Sequence, residues 1–391
     1  MSVDKKESNL YWLCALGLFR LPFVEILITA MSLLHLTNYE DYADLIFYVV
    51  YVIFIIAFVV KNRMIEKRVF LSALSIVALM LGGYVISMIC GESSYILDPN
   101  FSIIKIALFF SSLMLVFSSI NDIDSFCTFA TRISSILITF EFLIFIRGAI
   151  SGRLQTSNYN MTGGYVLALL FLFEIKEFER YKRLTNLFFM ILAAIQILII
   201  ASRGALLLIA ISSVLFFVKR ITEQKYKVLI ILIATIVISY LFINFDTIIF
   251  TLSGVLEKAG IQSRNVTAIL NFANQTDSDR GNLQKTVLMQ LKDMPILGYG
   301  LCGSWKFIGT YSHNFICDAL IEWGIPLGIA IITWTIIMAI KSIVNIRTRR
   351  LATILVLYFV VHNMLSSTYL HDETFWCMVG VFINCKRNIC N

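Results

Sequence analysis

The sequence predicts an all-α, polytopic membrane protein with about 12 transmembrane helices. Three observations predict it. The 391 residues are 59% hydrophobic and only 15% charged, against about 45–50% and about 25% in a soluble domain. Apolar runs of about 20 residues, each able to cross roughly 30 Å of hydrocarbon, recur from end to end. One long polar stretch, residues 246–315, interrupts them between the ninth run and the tenth. The whole reads as a single integral membrane domain, 1–391, with that large loop inside it.

In chain order the spans fall near 11–33, 43–60, 69–90, 101–119, 125–147, 159–174, 185–201, 203–218, 228–245, 316–340, 351–369 and 374–385. The N-terminal MSVDKKESN leads into an apolar run without a small-residue cleavage pattern, so no cleavable signal is expected. The links alternate in charge. Lys61, Arg63, Lys67 and Arg68 form one basic link; Lys176, Arg180, Lys182 and Arg183 a second; Lys219, Arg220, Lys225 and Lys227 a third; Lys341, Arg347, Arg349 and Arg350 a fourth. The opposite links, NYEDYAD, GESSYILDPN and STYLHDET, are acidic or neutral. Positive charge stays on the cytoplasmic side, which puts both termini in the cytoplasm and loop 246–315 outside.

The eight cysteines, at 14, 90, 127, 302, 317, 377, 385 and 390, form no CxxC and no Cys/His metal spacing. Cys302 and Cys317 lie near the long loop, close enough in sequence to be a candidate disulfide. Within the spans Arg20, Glu25, Lys105, Arg132 and Glu141 cost energy, roughly 2.5–3.5 kcal/mol for an Arg at a helix centre. Arg20 and Glu25 are a candidate pair. Glu141 and Arg147, on the outer half of one span, are placed to line a cavity. The four prolines, at 22, 99, 295 and 326, are too few to lead us to expect broken helices, and no inverted repeat is visible.

The outer side carries cations that topology does not need there: Arg147, Arg153, Arg203, Lys258, Arg264, Arg280, Lys285, Lys292 and Lys306. For the lysines, solvation on a long loop is explanation enough. Arg203 differs. In LIIASRGALLLIA it sits between apolar helices at the tightest turn of the chain, where a guanidinium wants a fixed anion. Asp277, Ser278 and Asp279 are good N-cap residues, and NLQKTVLMQLKDM then reads as an amphipathic helix with Leu283, Val287, Leu291 and Met294 on one stripe. Lys285 and Lys292 fall opposite that stripe and Arg280 on the same side as it. Arg280 is either a snorkelling or internally paired residue, with Asp277 as partner, or an anion ligand.

Next comes PILGYGLCG. Gly298 and Gly300 allow close backbone approach to a ligand, or simply make a turn. Without GK[ST] the segment is no nucleotide P-loop. His313, with Asn314 beside it, ends the loop in SHNFICDALIEWG. A histidine beside a span is usually structural; at an ordinary pKa of about 6.5 it is also a fit proton acceptor for a sugar hydroxyl at neutral pH.

Taken together, SRGALLLIA, DRGNLQKTVLMQLKDMPILGYG and SHNFICDALIEWGIPLG resemble the O-antigen polymerase and O-antigen ligase superfamily. The resemblance implies a GT-C-like, metal-independent glycosyltransferase of the bacterial inner membrane with a periplasmic active site and no cofactor. Its donor would be an oligosaccharide on undecaprenyl diphosphate. Carried over motif by motif, it implies that Arg203 and Arg280 hold the diphosphate and His313 is the catalytic base. Arg264, in AGIQSRNVTA, is a looser match for substrate binding, alongside Asn314, Arg147, Gly298 and Gly300. The chemistry agrees: arginine offers paired donors to phosphate oxygens, and fixed charge aimed at a departing diphosphate stabilises it. No DxD-like carboxylate pair marks a metal site. A polymerase, extending a lipid-linked repeat at its non-reducing end, is favoured over a ligase acting on lipid A–core; a polysaccharide transporter is the reading from another class. The expected partners are the lipid-linked glycan, the bilayer and a chain-length regulator, with no nucleic acid.

Overall fold

The computed structural model describes residues 5–33, 42–62, 67–90, 109–150, 161–200, 202–222, 254 and 279–387. Every regular element among them is helical. In order these are α1 (Lys5–Leu18), α2 (Arg20–Leu33), α3 (Ala43–Asn62), α4 (Lys67–Cys90), α5 (Ser111–Ser118), α6 (Ile123–Ile150), α7 (Met161–Tyr181), α8 (Leu184–Ile200), α9 (Arg203–Thr222), α10 (Asp279–Met289), α11 (Trp305–Ile308), α12 (Phe315–Val344), α13 (Arg349–Leu365) and α14 (Glu373–Arg387). By length and composition Ala43–Lys61, Ile123–Ile146 and Phe315–Val344 are each able to cross a membrane, and the bent pair Glu7–Leu18 and Arg20–Met31 adds a fourth if it is one span. The several apolar helices are those of a membrane protein. The expected span 228–245 and the loop up to residue 278, apart from Gly254, lie outside the described residues, as does most of the first half of 101–119.

The chain forms two compact units. One comprises Met1–Ala130 with Asp277–Asn391, the other Thr131–Thr276. In the second unit α7 packs on α8 and on α9. Its buried polar anchor is Glu174, which accepts from Asn186 Nδ2 at 2.6 Å and from Ser135 Oγ at 2.7 Å. In the first unit α5 and α14 pack together, α13 and α14 likewise, and α12 lies against both α13 and α14. Phe110, Phe117, Leu113, Met114 and Trp376 fill this core.

Two expected spans are broken, which corrects the expectation from the low proline count. The run 11–33 bends by 82° between α1 and α2. Pro22 explains it: proline has no N–H to donate and its ring clashes with the carbonyl four residues back, at Leu18, where α1 ends. The run 316–340 is broken at Gly324, whose φ of 74° and ψ of 165° are non-helical. Pro326 has the same relation to Glu322, the residue where regular hydrogen bonding stops. A Cβ built on Gly328 would lie 2.7 Å from the Ala319 carbonyl oxygen. In a straight helix nine residues span about 13.5 Å, so the chain turns sharply back on itself here. Residues 325–344 remain long enough to cross a bilayer alone.

The candidate pair Arg20–Glu25 is also corrected. Arg20 instead binds Asp44 Oδ1 through Nη1 at 2.5 Å and Glu373 Oε1 through Nε at 2.6 Å, and stands 5.2 Å from the Tyr48 ring centroid. Both acidic partners come from links read as facing outward, NYEDYAD and STYLHDET, and they converge on the first residue of α2.

Candidate functional site

The first unit builds a site around the broken α12. A helix break frees backbone carbonyls that need donors. Residues 295–303, the PILGYGLCG segment, supply them. Tyr299 N donates to Ile321 O and Gly300 N to Glu322 O, each at 2.9 Å. The segment is therefore a strap across the break. Its far side lies on α4: Leu301 N donates to Gly83 O at 3.2 Å, and Ser87 Oγ donates to Leu301 O at 2.9 Å.

This seating accounts for Gly298 and Gly300. Both have positive φ, 75° and 79°. A Cβ on Gly298 would lie 2.5 Å from Glu322 O, and one on Gly300 would lie 2.2 Å from Ser87 N. The bare faces of both glycines are turned to protein backbone, so the turn reading explains them and close approach to a ligand is not needed.

Below the strap, α10 ends at Met289, short of the helix expected through Met294, and a 3-10 turn, Gln290–Lys292, follows it. Val287 is fully buried in a cluster with Tyr299, Cys317 and Ile321, and Leu291 and Met294 pack against it. Lys285 and Lys292 are exposed on the opposite face. Cys302 and Cys317 are free, buried thiols and not a disulfide.

Two acidic residues missed by the sequence reading organise the site: Asp318 and Glu322, one turn apart on the first half of α12, 0% and 2% exposed. Glu322 accepts from Cys302 N at 3.0 Å and from the Tyr369 hydroxyl at 2.6 Å, and Trp323 Nε1 donates to Tyr369 Oη at 2.7 Å. One carboxylate thus joins the strap, the break and the 3-10 turn Tyr369–His371. Asp318 accepts from Ser312 N at 3.0 Å. The signal for both was present in DALIEWG: carboxylates inside an apolar span mark a site by default.

His313 follows Ser312 and has φ of 56°, the left-handed conformation that histidine tolerates better than most residues. Its ring is edge-on to Tyr311, with centroids 4.4 Å apart. Asn314 is the N-cap of α12, its Oδ1 accepting from Ile316 N at 3.0 Å and Cys317 N at 3.2 Å. The structure therefore brings His313, Asn314, Gly298 and Gly300 into one assembly with Asp318 and Glu322. Arg280 begins α10 of the same unit, but its side chain lies outside the described residues, as do the side chain of Arg147 and all of Arg264. Arg203 opens α9 in the second unit and is exposed.

Beside the site lies an apolar cavity of about 380 Å³, lined among others by Ile76, Leu79, Leu327, Ile331, Trp334 and Val379. Trp323 and Tyr369, the pair bonded to Glu322, also line it. Among the described residues no group of three or more His, Cys, Asp or Glu is placed to hold a metal ion.

No curated protein and no solved structure matches the chain significantly. The family model described as O-antigen ligase matches residues 188–332, a stretch that includes Arg203, Arg264, Arg280, Gly298, Gly300, His313, Asn314, Asp318 and Glu322 and leaves out Arg147. That family covers O-antigen ligases and polymerases. Over this stretch, the one that builds the strap, the His313 turn and the break in α12, the chain carries the likeness to the O-antigen polymerase and ligase superfamily that its motifs announce.

Proposed function

We propose that this protein is an O-antigen polymerase: a glycosyltransferase of the bacterial inner membrane that moves a growing glycan from undecaprenyl diphosphate onto the non-reducing end of a new lipid-linked repeat. The observation that carries the proposal is the mounting of His313, in left-handed backbone conformation, on a helix broken within the family-matched stretch. Backbone strain of this kind persists where surrounding structure over-determines it, and it gathers at functional sites. His313 would take the proton of the acceptor hydroxyl, a contribution of about 10²–10⁴-fold for such a base. Arg203 and Arg280 would grip the diphosphate. A hydrogen bond to a charged group is worth roughly 1.5–3 kcal/mol net, and it grows as charge develops on the leaving phosphate. The apolar cavity beside the site suits a substrate whose anchor is a hydrocarbon chain.

The description of the matching family favours a second reading, transfer of the chain to lipid A–core. Polymerase and ligase share a donor and differ in acceptor. The break in α12 is a feature that a transporter would also have. Deleting the gene and resolving lipopolysaccharide on a gel separates the three. A polymerase null leaves core with one repeat, a ligase null leaves bare core, and a transporter null leaves little surface repeat of any length. Core with one repeat is the expected result; either other pattern replaces the proposal.

A further inference from the structure

We infer that Asp318 is a positioning residue for His313. The inference deepens the proposed function and rests on its assignment of His313 as the base, but its geometry stands alone. Asp318 is fully buried on the first half of α12, whose N-cap is Asn314. Its Oδ1 receives the Ser312 amide at 3.0 Å. Ser312 Oγ in turn bridges to Asn314, donating to Asn314 O at 3.0 Å and accepting from Asn314 N at 3.2 Å. Asn314 Oδ1 closes the chain of contacts on the amides of Ile316 and Cys317.

His313 lies between two residues that are both tied to α12, and its own ring stands edge-on to Tyr311. Its φ of 56° is not a conformation an L-residue adopts for its own sake. It follows from fixing Ser312 from one side and Asn314 from the other. The hydroxyls of Ser304, next to the strap, and Thr368, next to Tyr369, also stand near the Asp318 carboxylate, outside ordinary hydrogen-bond geometry. Asp318 therefore faces two of the segments that Glu322 joins one turn further on, the strap and the Tyr369 turn, and adds the His313 turn to them. A purely local cap would need only Asn314. A buried carboxylate reaching back to the residue before the histidine is what sets the direction of the imidazole.

The test is residue-resolved labelling of the purified full chain with diethyl pyrocarbonate, read by mass spectrometry, with His371 of the same protein as internal reference. Asp318→Ala removes the acceptor. It is expected to raise His313 labelling relative to His371 about fivefold, the change in a local opening equilibrium that one lost hydrogen bond produces. Asp318→Asn keeps an oxygen for the Ser312 amide and is expected to stay within about twofold of the natural chain. Glycosyl transfer should fall in the same order through kcat, with KM for the lipid-linked donor unchanged.

Unchanged His313 labelling in Asp318→Ala overturns the inference. So does an equal rise at His313 and His371, which is general loosening. If Asp318→Ala yields no folded protein, Asp318→Ser, which keeps a small polar side chain but draws the acceptor back from the Ser312 amide, is expected to raise His313 labelling about fivefold relative to His371; no rise overturns the inference. Labelling needs no sugar substrate. Labelling in the expected order without transfer by the natural chain leaves the positioning role standing and removes the proposed reaction.

Discussion

The two broken helices of the first unit share a cause and differ in repair. At Phe19 and at Gly324 a proline three or two residues on ends the helix. The first break is closed by charge: Arg20 reaches Asp44 and Glu373, and the chain beyond the break resumes as α2. The second is closed by backbone: the strap donates Tyr299 N and Gly300 N to the freed carbonyls, and Glu322 locks it from behind. A charged closure holds three helix ends together and presents nothing. A backbone closure fixes a loop at the helix end, and the chain runs on from it through α11 to His313. The difference separates a structural bend from a bend that carries a site.

Four substitutions sharpen this contrast. The largest effect is expected from Gly324→Ala. Its φ and ψ belong to a region essentially reserved for glycine, and the new Cβ would lie 1.9 Å from Ile296 O. A loss of about 4 kcal/mol or more is expected, seen as absent folded protein in size-exclusion chromatography; a normal elution profile would mean the strap does not seat as described. Next is Glu322→Ala, which leaves the Cys302 amide and the Tyr369 hydroxyl without their acceptor, about 2–4 kcal/mol by thermal unfolding. Glu322→Gln retains one acceptor and should lose about 1 kcal/mol.

At the first break Arg20→Met should lower stability by about 2 kcal/mol, because two carboxylates then face each other without a cation. Asp44 is 38% exposed, which lets water carry part of that loss. Transfer activity per folded molecule should survive this change and not Glu322→Ala. Equal activity loss in both would erase the distinction between the two closures.

A pH-dependent effect of similar small size concerns the link between α13 and α14. Asp372 caps α14 through Thr374 N at 2.8 Å and accepts from His362 Nδ1 at 2.9 Å and from Asn363 Nδ2. Burial alone would raise its carboxyl, but the hydrogen bond and charge of His362, with Thr374 and Asn363, hold it below its ordinary value. A lowered folded value means stabilisation that is present above the unfolded carboxyl pKa and lost as pH falls through the folded one. The gap in unfolding free energy between the natural chain and Asp372→Asn, about 1–2 kcal/mol at neutral pH, should therefore close on acidification. A gap that widens toward acid would refute the assignment.

Much of this was legible in the sequence. Apolar run length gave most helices to within a few residues, because a span has one overriding requirement. The buried side of residues 287–294 was legible too, since Val287, Leu291 and Met294 pack in one cluster, although only Val287 lies within α10. The breaks were not, although Pro22 and Pro326 stood in plain view. Counting prolines hid what placing them shows, since each sits four residues after the last residue its helix can hydrogen-bond. Asp318 and Glu322 escaped because the surrounding run looked like one continuous span, where a carboxylate has no evident partner. Their partners lie in the strap, in the His313 turn and around Tyr369, and only the fold brings those together. The glycines of PILGYG were legible as glycines but not by purpose: the backbone they admit is the protein's own.

The most direct test of the central claim is complementation of a strain lacking this protein with the natural chain and with His313→Ala at matched membrane abundance, read as lipopolysaccharide bands. The natural chain is expected to restore a ladder of repeats, and His313→Ala to leave core with a single repeat. A full ladder from His313→Ala would contradict the claim.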